Sequence, residues 1–381
     1  LDVARLQRAA AAVVQRHGAL AAGFHLTRSG RLVSTIGDTP DPEFRTLDAG
    51  GHADAFVATV AEEDRRRGFD LSRPPLMRYA LVRLGPERHR LVQTVHHIIA
   101  DGWSVALIWD DIMAAYRGEA FDSPAPQHPD FLRWWTHRRD PQREVDAWLA
   151  HLAGVESATL VAEHLPAPAG EATGYGRRRR ALDAEHRAAL TAYARSRSVS
   201  EGAVMTAAWG LLIGCLTSRT DVVFGSTTAG RGEDVKGIDR IVGMLLNTVP
   251  TRVRWAHHAT VDEVVRRFVD AETAVLDHQH VPLLELQNRL GIRELFDSLF
   301  SIENLRQPAG DDQLRIGEIE YVQAPHYRLT TLVTLHETVS VALTNDRSAV
   351  DDTVADRIAD LYLRVVELIV EDKGRRDADV A

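Results

Sequence analysis

The sequence predicts an α/β protein built from two lobes of comparable make-up. Its length of 381 residues exceeds what a single hydrophobic core usually organises, so two domains are the natural expectation. Patterns typical of strands alternate with patterns typical of helices, and their order repeats in outline after a central linker. No repeat of short period accompanies this order, which argues against a solenoid. We therefore expect two stacked lobes with a cleft between them.

The first half of the chain opens with a helix and continues with strands. Apolar residues within 6–14 recur at helical spacing, and a hairpin follows around Gly30. The segment 68–76 contains two adjacent prolines, which fix φ and cannot donate to a sheet, so it is predicted to be a rigid loop. The segments 77–84 and 91–95 then read as two paired strands.

The second half is separated from the first by a proline-, alanine- and glycine-rich stretch, 165–174, which is typical of a linker. We assign 1–165 to an N-terminal lobe, 166–177 to the linker and 178–381 to a C-terminal lobe. The remaining predicted elements are helices over 104–117 and within 130–152, a strand at 178–182, helices at 183–196 and 200–216, a strand at 222–225, two strands at 329–334 and 338–345, and a helix at 353–371.

Composition and charge exclude several classes of protein. The chain is 45% hydrophobic and 26% charged, as is ordinary for a globular protein, and no apolar run approaches the roughly 18 residues of a membrane span. It has no N-terminal signal pattern. A net charge of −9 argues against a nucleic-acid backbone as the main partner. We expect a cytoplasmic protein with no nucleic-acid or membrane partner.

Two local features favour ordinary structural roles. The single cysteine, Cys215, allows no disulfide framework or cysteine metal site, and its apolar surroundings favour a small core residue over a nucleophile. The arginine run 177–180 is interpreted as the solvated start of a strand, with docking of an acidic partner as the alternative.

The most informative segment is 95–104, Val-His-His-Ile-Ile-Ala-Asp-Gly-Trp-Ser. It joins the apolar strand 91–95 to a helix for which Ser104 is a good N-cap and Gly118 a plausible stop. Two imidazoles and a carboxylate therefore occupy a tight turn between a strand and a helix, a place where scaffolds often carry chemistry.

The residue types in this turn suit proton transfer. Adjacent residues at a strand end point to opposite faces, so His96 and His97 cannot do the same work. A histidine is the usual group for taking a proton from an attacking amine or hydroxyl near neutral pH. Asp101 can fix an imidazole tautomer or pair with a buried arginine, and Gly102 allows a close backbone approach. A zinc site would need a third or fourth ligand, and no helical partner stands nearby, so no metal is expected.

The segment resembles the His-His-x-x-x-Asp-Gly motif of the condensation domains of nonribosomal peptide synthetases, within the chloramphenicol acetyltransferase superfamily. Further segments resemble the family's motifs in the family's order. They are Arg16 to Ala21, Asp130 to Trp134, Gly225 to Arg231, Val242 to Pro250 (Val-Gly-Met-Leu-Leu-Asn-Thr-Val-Pro), His278 to Leu283 and Phe296 to Asn304.

The resemblance implies a fold, a reaction and a set of partners. The fold is a V-shaped pseudo-dimer of two chloramphenicol-acetyltransferase-like lobes with a central tunnel. The reaction transfers a donor peptidyl or aminoacyl thioester to the α-amine of an acceptor aminoacyl thioester. The 4'-phosphopantetheine arms come from partner carrier proteins, so the chain itself is expected to bind no cofactor. Upstream donor and downstream acceptor peptidyl carrier proteins and an adjacent adenylation domain are the implied partners, and the excised domain is expected to be monomeric.

The resemblance also implies roles for particular residues. His97 corresponds to the second motif histidine, which positions and deprotonates the amine or stabilises the tetrahedral species. His96, Asp101 and Gly102 complete the catalytic turn, with Asp101 organising it through an ion pair. Arg16 and Arg231 are the expected structural supports, Arg16 as a partner for Asp101. The candidate substrate contacts are Trp103, Ser104, Asn247, Ser301, Glu303, Asn304, His326 and Tyr327.

Simpler roles compete with some of these assignments. Packing is the alternative for Trp103, Trp134 and Trp135, and satisfaction of backbone groups is the alternative for Asn247. Two departures from the family pattern stand out. Ala21 replaces the second arginine of the Arg16–Ala21 motif, and Leu245 replaces the usual aromatic residue, which is expected to alter the tunnel's width.

The amino-acid sequences of the segments 69–76, 225–231 and 325–327 resemble those of condensation domains that join a D-configured donor to an L-configured acceptor.

Two other functions remain open. One is a non-catalytic docking domain that recruits a tailoring enzyme, although such relatives usually have a degraded histidine motif. The other is a free-standing acyltransferase that uses coenzyme A.

Overall fold

The structure is a computed structural model that describes residues 1–50, 53–121, 124–137, 140–168, 170, 172–232, 235–303, 314–317, 319–322 and 326–371. The elements alternate between strands and helices, as an α/β fold requires. The helices are α1 (Val3–Arg16), α2 (Ala53–Arg67), α3 (Gly102–Arg117), α4 (His128–His137), α5 (Pro141–His151), α6 (Ala184–Arg197), α7 (Glu201–Thr217), α8 (Val261–Thr273), α9 (Leu283–Leu290) and α10 (Asp352–Glu371). The strands are β1 (Ala22–Leu26), β2 (Leu32–Ile36), β3 (Glu43–Asp48), β4 (Met77–Arg83), β5 (His89–Val95), β6 (Tyr175–Ala181), β7 (Asp221–Thr228), β8 (Asn247–Arg254), β9 (Ser298–Ile302), β10 (Leu329–Leu335) and β11 (Val339–Asp346).

The chain divides into two compact units. The first unit comprises Leu1–Arg139, Arg231–Leu245 and Leu305–Glu320, and the second comprises Asp140–Gly230, Leu246–Asn304 and Tyr321–Ala381. The segment Arg231–Leu245 thus belongs to the first unit although the chain on both sides belongs to the second. Helix α5 groups with the second unit, whereas the predicted boundaries place it in the first lobe. Its Trp148 is buried among apolar residues of that unit, including Val223, Val249 and Phe296.

The first unit is built on a sheet in the order β3-β4-β5. β4 pairs antiparallel with β5 across the predicted turn, and parallel with β3. Six of the seven residues of β4 are buried, so this strand lies at the centre of the core. Helices α1 and α3 pack against each other and contribute Leu6, Val13, Ile108 and Ile112 to the same core. The predicted hairpin is confirmed as β1 and β2, with Gly30 at a φ of 76° in its turn.

The second unit is built on a sheet in the order β6-β11-β10-β9-β7-β8. The two predicted late strands, β10 and β11, are confirmed as an antiparallel pair, and β9 pairs parallel with both β10 and β7. Helix α7 is buried along most of its length, which explains why its sequence is apolar on every side. It packs against α8 and α10 over a core that contains Trp209, Phe300 and Tyr362.

One local interpretation is wrong, and another is confirmed only in part. Cys215 is exposed on α7 and is not a core residue. The arginine run 177–180 is not simply a solvated strand start. Arg178 and Arg180 on β6 form ion pairs with Asp352, Asp356 and Asp360, which recur every fourth residue along α10. These pairs join the edge strand of the sheet to the final helix.

Among the described helices, none is by itself long and apolar enough to cross a bilayer. Helices α6 and α7 meet the length and composition requirement only as a pair, and that pair is bent by 103°.

The end of α10 is attached to the start of α6 by a histidine clamp. His186 Nδ1 lies 2.9 Å from Asp183 and its Nε2 lies 3.0 Å from Glu371. The hydrogen bonds with Glu371 and with Asp183 raise the pKa of His186 to about 9. The folded-state pKa exceeds the ordinary value, so the clamp stabilises the fold fully below about pH 6.5, while the carboxylates stay ionised, and this stabilisation is lost as the pH rises through about 9.

Glu371→Gln removes the first of these partners and should lower the pKa of His186 towards its ordinary value. An NMR titration of the His186 ring protons measures this shift. Glu285→Gln, a change on α9, is the matched control and should leave the titration where it is. An unchanged His186 midpoint in Glu371→Gln would show that the clamp does not form.

Candidate active site

The candidate active site begins where β5 ends. The amide of His96 donates to the Leu76 carbonyl at 2.9 Å, and the amide of Ile99 donates to the His96 carbonyl at 3.1 Å. These bonds close a turn directly after the strand, and α3 begins three residues later at Gly102. The sequence therefore places both motif histidines on a short connection whose two ends are held by a sheet and a helix.

Asp101 caps helix α3. Its Oδ1 accepts the amide of Ser104 at 2.8 Å, as an N-cap carboxylate does. The prediction that Ser104 is the N-cap is wrong, and the helix starts two residues earlier than expected. The predicted stop is confirmed, because Gly118 closes the helix with a φ of 80°.

Asp101 also forms a buried ion pair with Arg231. The guanidinium donates to Oδ2 at 2.8 Å and to Oδ1 at 3.1 Å, and the side chains of Arg231 and Asp101 are only 3% and 1% exposed. Oδ2 accepts a further bond from the Leu245 amide at 3.1 Å. Burial acts to raise the pKa of Asp101, but the bonds from Arg231 and Ser104 outweigh it and hold the pKa below its ordinary value.

Ser104 joins the same network through its hydroxyl. The hydroxyl donates to the Gly243 carbonyl at 2.8 Å and accepts the Gly243 amide at 3.0 Å. Arg231 donates to it at 3.1 Å. Ser104 is fully buried, so this predicted substrate contact lies among protein groups. A Cβ on Gly243 would stand 2.4 Å from the His128 ring, which explains why a glycine is needed here.

Of the two arginines expected to support the turn, Arg231 does so and Arg16 does not pair with Asp101 as expected. Arg16 donates to Asp111 at 3.1 Å and its guanidinium lies 4.2 Å from the centre of the Phe121 ring. His17 shares Asp111 through Nε2 at 2.6 Å. The Arg16–Ala21 motif therefore contacts α3 at Asp111 instead of pairing with the Asp101 carboxylate.

The two motif histidines have different surroundings, as the sequence predicts. His96 is half-buried, and its Nδ1 accepts the Ile98 amide at 3.1 Å. Burial, with the charge of His97, lowers the pKa of His96. His97 is exposed. A ring that is held by the backbone and kept neutral suits scaffolding, whereas an exposed ring can meet a substrate.

The turn has a further support that its sequence does not announce. The ring of Phe69 lies edge-on to His96 at 6.2 Å, and the Arg78 guanidinium lies 4.1 Å from the centre of the same Phe69 ring. Arg78 is held by a buried ion pair with Asp64 at 2.8 Å and donates to the Gly68 carbonyl. The only hint in the sequence is an isolated arginine, Arg78, in an apolar strand.

Gly102 is the first residue of α3, and Trp103 follows it with 43% of its surface exposed. The Trp103 indole donates to the Asp239 carbonyl at 2.8 Å, and the Arg231 guanidinium lies 5.4 Å from its ring centre. Trp134 and Trp135 on α4 pack with Ile238, Ile241 and Leu245. These contacts agree with a packing role for the three tryptophans. Part of Trp103 is still accessible.

In the second unit, Asn247 and Ser301 lie at the end of the sheet where β7 and β9 finish. Asn247 pairs with Thr228 at the end of β7, and its amide donates to the carbonyls of Gln279 and Val281 at 2.9 and 2.8 Å. The Ser301 hydroxyl is 2.5 Å from that of Thr227. Both donors of Asn247 are thus used on backbone groups, which was the alternative to substrate contact.

Glu303 directly follows β9, at the same end of the strands. It is half-buried, and burial raises the pKa of its carboxyl, with the charge of Arg177 acting against that rise. Asn304, the next predicted contact, lies outside the described residues.

His326 lies at the opposite end of the same strands. β9 and β10 run parallel, with Leu329 beside Ser298, so His326 lies on the amino side of strands whose carboxyl end carries Glu303. The length of β9 separates the two ends by roughly 15 Å at about 3.3 Å per residue. His326 and Tyr327 line a pocket of about 500 Å³, and Tyr327 packs on Phe296 at 5.6 Å. The predicted contacts of this unit therefore form two groups.

No group of three or more histidine, cysteine, aspartate or glutamate side chains within the described part of the chain could hold a metal ion.

Comparison with known proteins identifies the family. The condensation-domain model matches residues 1–379. The chain therefore belongs to the condensation-domain family of nonribosomal peptide synthetases. It is 30% identical to a linear gramicidin synthase of Brevibacillus parabrevis over 341 residues, and 26% identical to bacitracin synthase 3 of Bacillus licheniformis over 385 residues. These alignments cover 86% and 97% of this chain but only 4% and 6% of those proteins.

Solved structures share the fold. The X-domain from teicoplanin biosynthesis is 25% identical with a TM-score of 0.84, and all of this chain aligns with 90% of that one. The same domain in complex with OxyB is 26% identical with a TM-score of 0.83, and all of this chain aligns with 88% of that one. The first condensation domain of the calcium-dependent antibiotic synthetase is 20% identical with a TM-score of 0.80, and all of this chain aligns with 91% of that one. The predicted two-lobe α/β fold of the acetyltransferase type is confirmed.

Asp101→Ala should lower the free energy of unfolding by about 3–5 kcal/mol, because it leaves the Arg231 guanidinium buried without its carboxylate. Chemical denaturation measures the change. The matched control is Glu285→Ala, which removes the exposed partner of Arg289 and should cost at most about 0.5 kcal/mol. Equal losses in the two variants would contradict a special role for the Asp101–Arg231 pair.

Proposed function

We propose that this chain forms peptide bonds in nonribosomal peptide synthesis. The α-amine of an acceptor aminoacyl thioester attacks the carbonyl carbon of a donor peptidyl thioester. A C–N bond forms and the C–S bond of the donor thioester breaks. The amine loses one proton, and the sulfur of the donor carrier's arm takes up one proton and leaves as a thiol. Both thioesters are carried on the phosphopantetheine arms of separate carrier proteins, and an adenylation domain loads the acceptor.

The observation that supports this proposal is the contrast within the turn. His96, Asp101 and Arg231 are held by buried or backbone contacts, whereas His97 is exposed beside them. In the proposed mechanism His97 orients the amine and takes its proton, and Asp101 keeps the turn in place without exchanging protons itself. Holding both thioesters in register supplies the proximity, which can account for about 7–11 kcal/mol of the barrier in such reactions.

His97→Ala should slow dipeptide formation between two loaded carrier proteins by about 10²–10⁴-fold, the usual contribution of a positioned acid or base. Mass spectrometry of the product released from the acceptor carrier measures the rate. His257→Ala, which removes another exposed histidine, is the matched control and should react at the wild-type rate. An undiminished rate of product formation in His97→Ala would show that His97 is not needed for the reaction.

We further propose that the donor residue is D-configured and the acceptor residue is L-configured. The support is the resemblance of the segments 69–76 and 225–231 to domains that take a D-donor and an L-acceptor. The first of these segments also has a structural role. Its Phe69 contacts both Arg78 and His96, so this loop lies against the histidine turn.

A donor carrier loaded with a D-residue should give product at least tenfold faster than the same carrier loaded with the L-residue, when the L-acceptor is kept constant. Chiral chromatography of the hydrolysed product measures both rates. A faster reaction with the L-donor would contradict the proposed subclass and would leave the proposal of peptide-bond formation intact.

A second candidate function is docking of a tailoring enzyme. It is favoured by the likeness to the X-domain, which has been solved in complex with OxyB and is more similar in sequence than the calcium-dependent antibiotic synthetase domain. This function predicts no dipeptide from the wild-type chain with either donor configuration. The intact histidine turn leads us to favour catalysis.

A further inference from the structure

An aromatic residue of the loop 68–76, Phe69, contacts the half-buried histidine of the candidate active site. The Phe69 and His96 rings meet in a T-shaped arrangement with their centres 6.2 Å apart, within the usual range for aromatic pairs. The Arg78 guanidinium lies over the same Phe69 ring, at 4.1 Å from its centre. Phe69 is itself half-buried. It therefore covers part of His96 and is held against that ring by a charged side chain.

The backbone on both sides of Phe69 is anchored. The Arg78 guanidinium donates to the Gly68 carbonyl at 2.8 Å, and the Leu71 carbonyl accepts an amide of β1 at 2.8 Å. Arg78 also donates through Nε to both carboxylate oxygens of Asp64, at 2.9 and 2.8 Å. The side chains of Arg78 and Asp64 are only 6% and 3% exposed. Moving the Phe69 ring away from His96 would therefore disturb hydrogen bonds that water cannot replace.

The hydrogen bond of the His96 ring defines its protonation state. Nδ1 accepts the Ile98 amide at 3.1 Å. This nitrogen therefore carries a lone pair, and Nε2 carries the proton of the neutral ring. A second proton can be added only at Nδ1, where it would break the bond to the Ile98 amide. The histidine turn thus loses one of its hydrogen bonds whenever His96 becomes an imidazolium.

The surroundings of His96 disfavour that imidazolium. Burial, with the charge of His97, lowers the pKa of His96. The charged groups on the loop, on β4 and at the start of α3 are each bound to another residue: Asp70 to Ser72 and Arg73, Arg78 to Asp64, and Asp101 to Arg231. The cover over the ring therefore favours the neutral form.

We propose that Phe69 is a positioning residue of the reaction. Its ring, held by Arg78, keeps His96 in the neutral Nε2–H form that closes the histidine turn, and so fixes the backbone that carries His97. This inference rests on the proposed function, because it assigns Phe69 a part in that reaction. A misplacement of about 1 Å can slow a reaction by about 10²-fold, so a small movement of the turn is enough to matter.

The first test compares Phe69→Leu with Phe44→Leu in dipeptide formation between loaded carrier proteins. Phe44 is also half-buried, and its ring stacks on Tyr79 at 5.7 Å. Phe69→Leu should lower kcat at least about tenfold and leave the KM for either loaded carrier within about twofold, whereas Phe44→Leu should keep the wild-type kcat. Phe69→Tyr, which retains the ring, should restore most of kcat. Equal losses in the two leucine variants would overturn the proposal, as would a Phe69→Tyr variant as slow as Phe69→Leu.

The second test follows His96 in the chain alone, by NMR of its ring nitrogens. The wild-type ring should be in the Nε2–H tautomer near neutral pH. Phe69→Leu should raise the pKa of His96 towards its ordinary value, because less of the ring is covered, and Phe44→Leu should leave it unchanged. An Nδ1–H tautomer in the wild type, or an unchanged midpoint in Phe69→Leu, would overturn the proposal whatever the rates are.

The two tests separate this proposal from the proposed function. If the wild type forms no dipeptide, the proposed function fails, and the titration still decides whether Phe69 holds His96. If Phe69→Leu does not fold, Phe69→Met takes its place with the same expectations.

Discussion

The ion pair between Asp101 and Arg231 is the interaction on which the candidate active site depends. One carboxylate caps α3, accepts two bonds from a buried guanidinium and accepts the Leu245 amide. A buried pair of this kind is costly to desolvate and is tolerated only when its remaining hydrogen bonds are made. Here the Ser104 hydroxyl and the Ile241 carbonyl accept further hydrogen bonds from the Arg231 guanidinium. The pair therefore joins that segment to the start of the helix, and the histidine turn is held from that side.

The other side of the turn is held by aromatic and electrostatic contacts. The Phe69 and His96 rings meet in a T-shaped arrangement, the Arg78 guanidinium lies over the Phe69 ring, and Arg78 is fixed by Asp64. Together with the Nδ1 bond to the Ile98 amide, these contacts leave His96 little freedom. The only motif histidine left exposed is His97, among the described residues of the turn. This arrangement fixes one of two adjacent histidines and leaves the other accessible.

The sequence predicted the fold class and most local elements because these depend on short-range patterns. The paired strands β4 and β5 and the final helix α10 were recognisable in this way. Contacts between distant residues were less accessible. The sequence named Arg16 and Arg231 as supports of the turn and suggested Arg16 as the partner of Asp101, but the observed partner is Arg231, 130 residues away along the chain. The cap of α3 was misassigned because aspartate and serine are both good caps, and only the geometry distinguishes them.

Other differences arise from strand register and helix orientation. His326 and Glu303 looked like members of one site, and the parallel register of β9 and β10 puts them at opposite ends of the strands. Cys215 follows an apolar run, yet it occupies an exposed position near the end of α7.

We propose that the Asp101–Arg231 pair acts as one unit in holding His97 for catalysis. A double-mutant cycle on the rate of dipeptide formation tests it, with Asp101→Asn, Arg231→Gln and the combined variant. We expect the two single losses to be strongly non-additive, so that the combined variant is about as slow as the slower single variant. Additive losses, with the combined variant slower by the product of both factors, would contradict it.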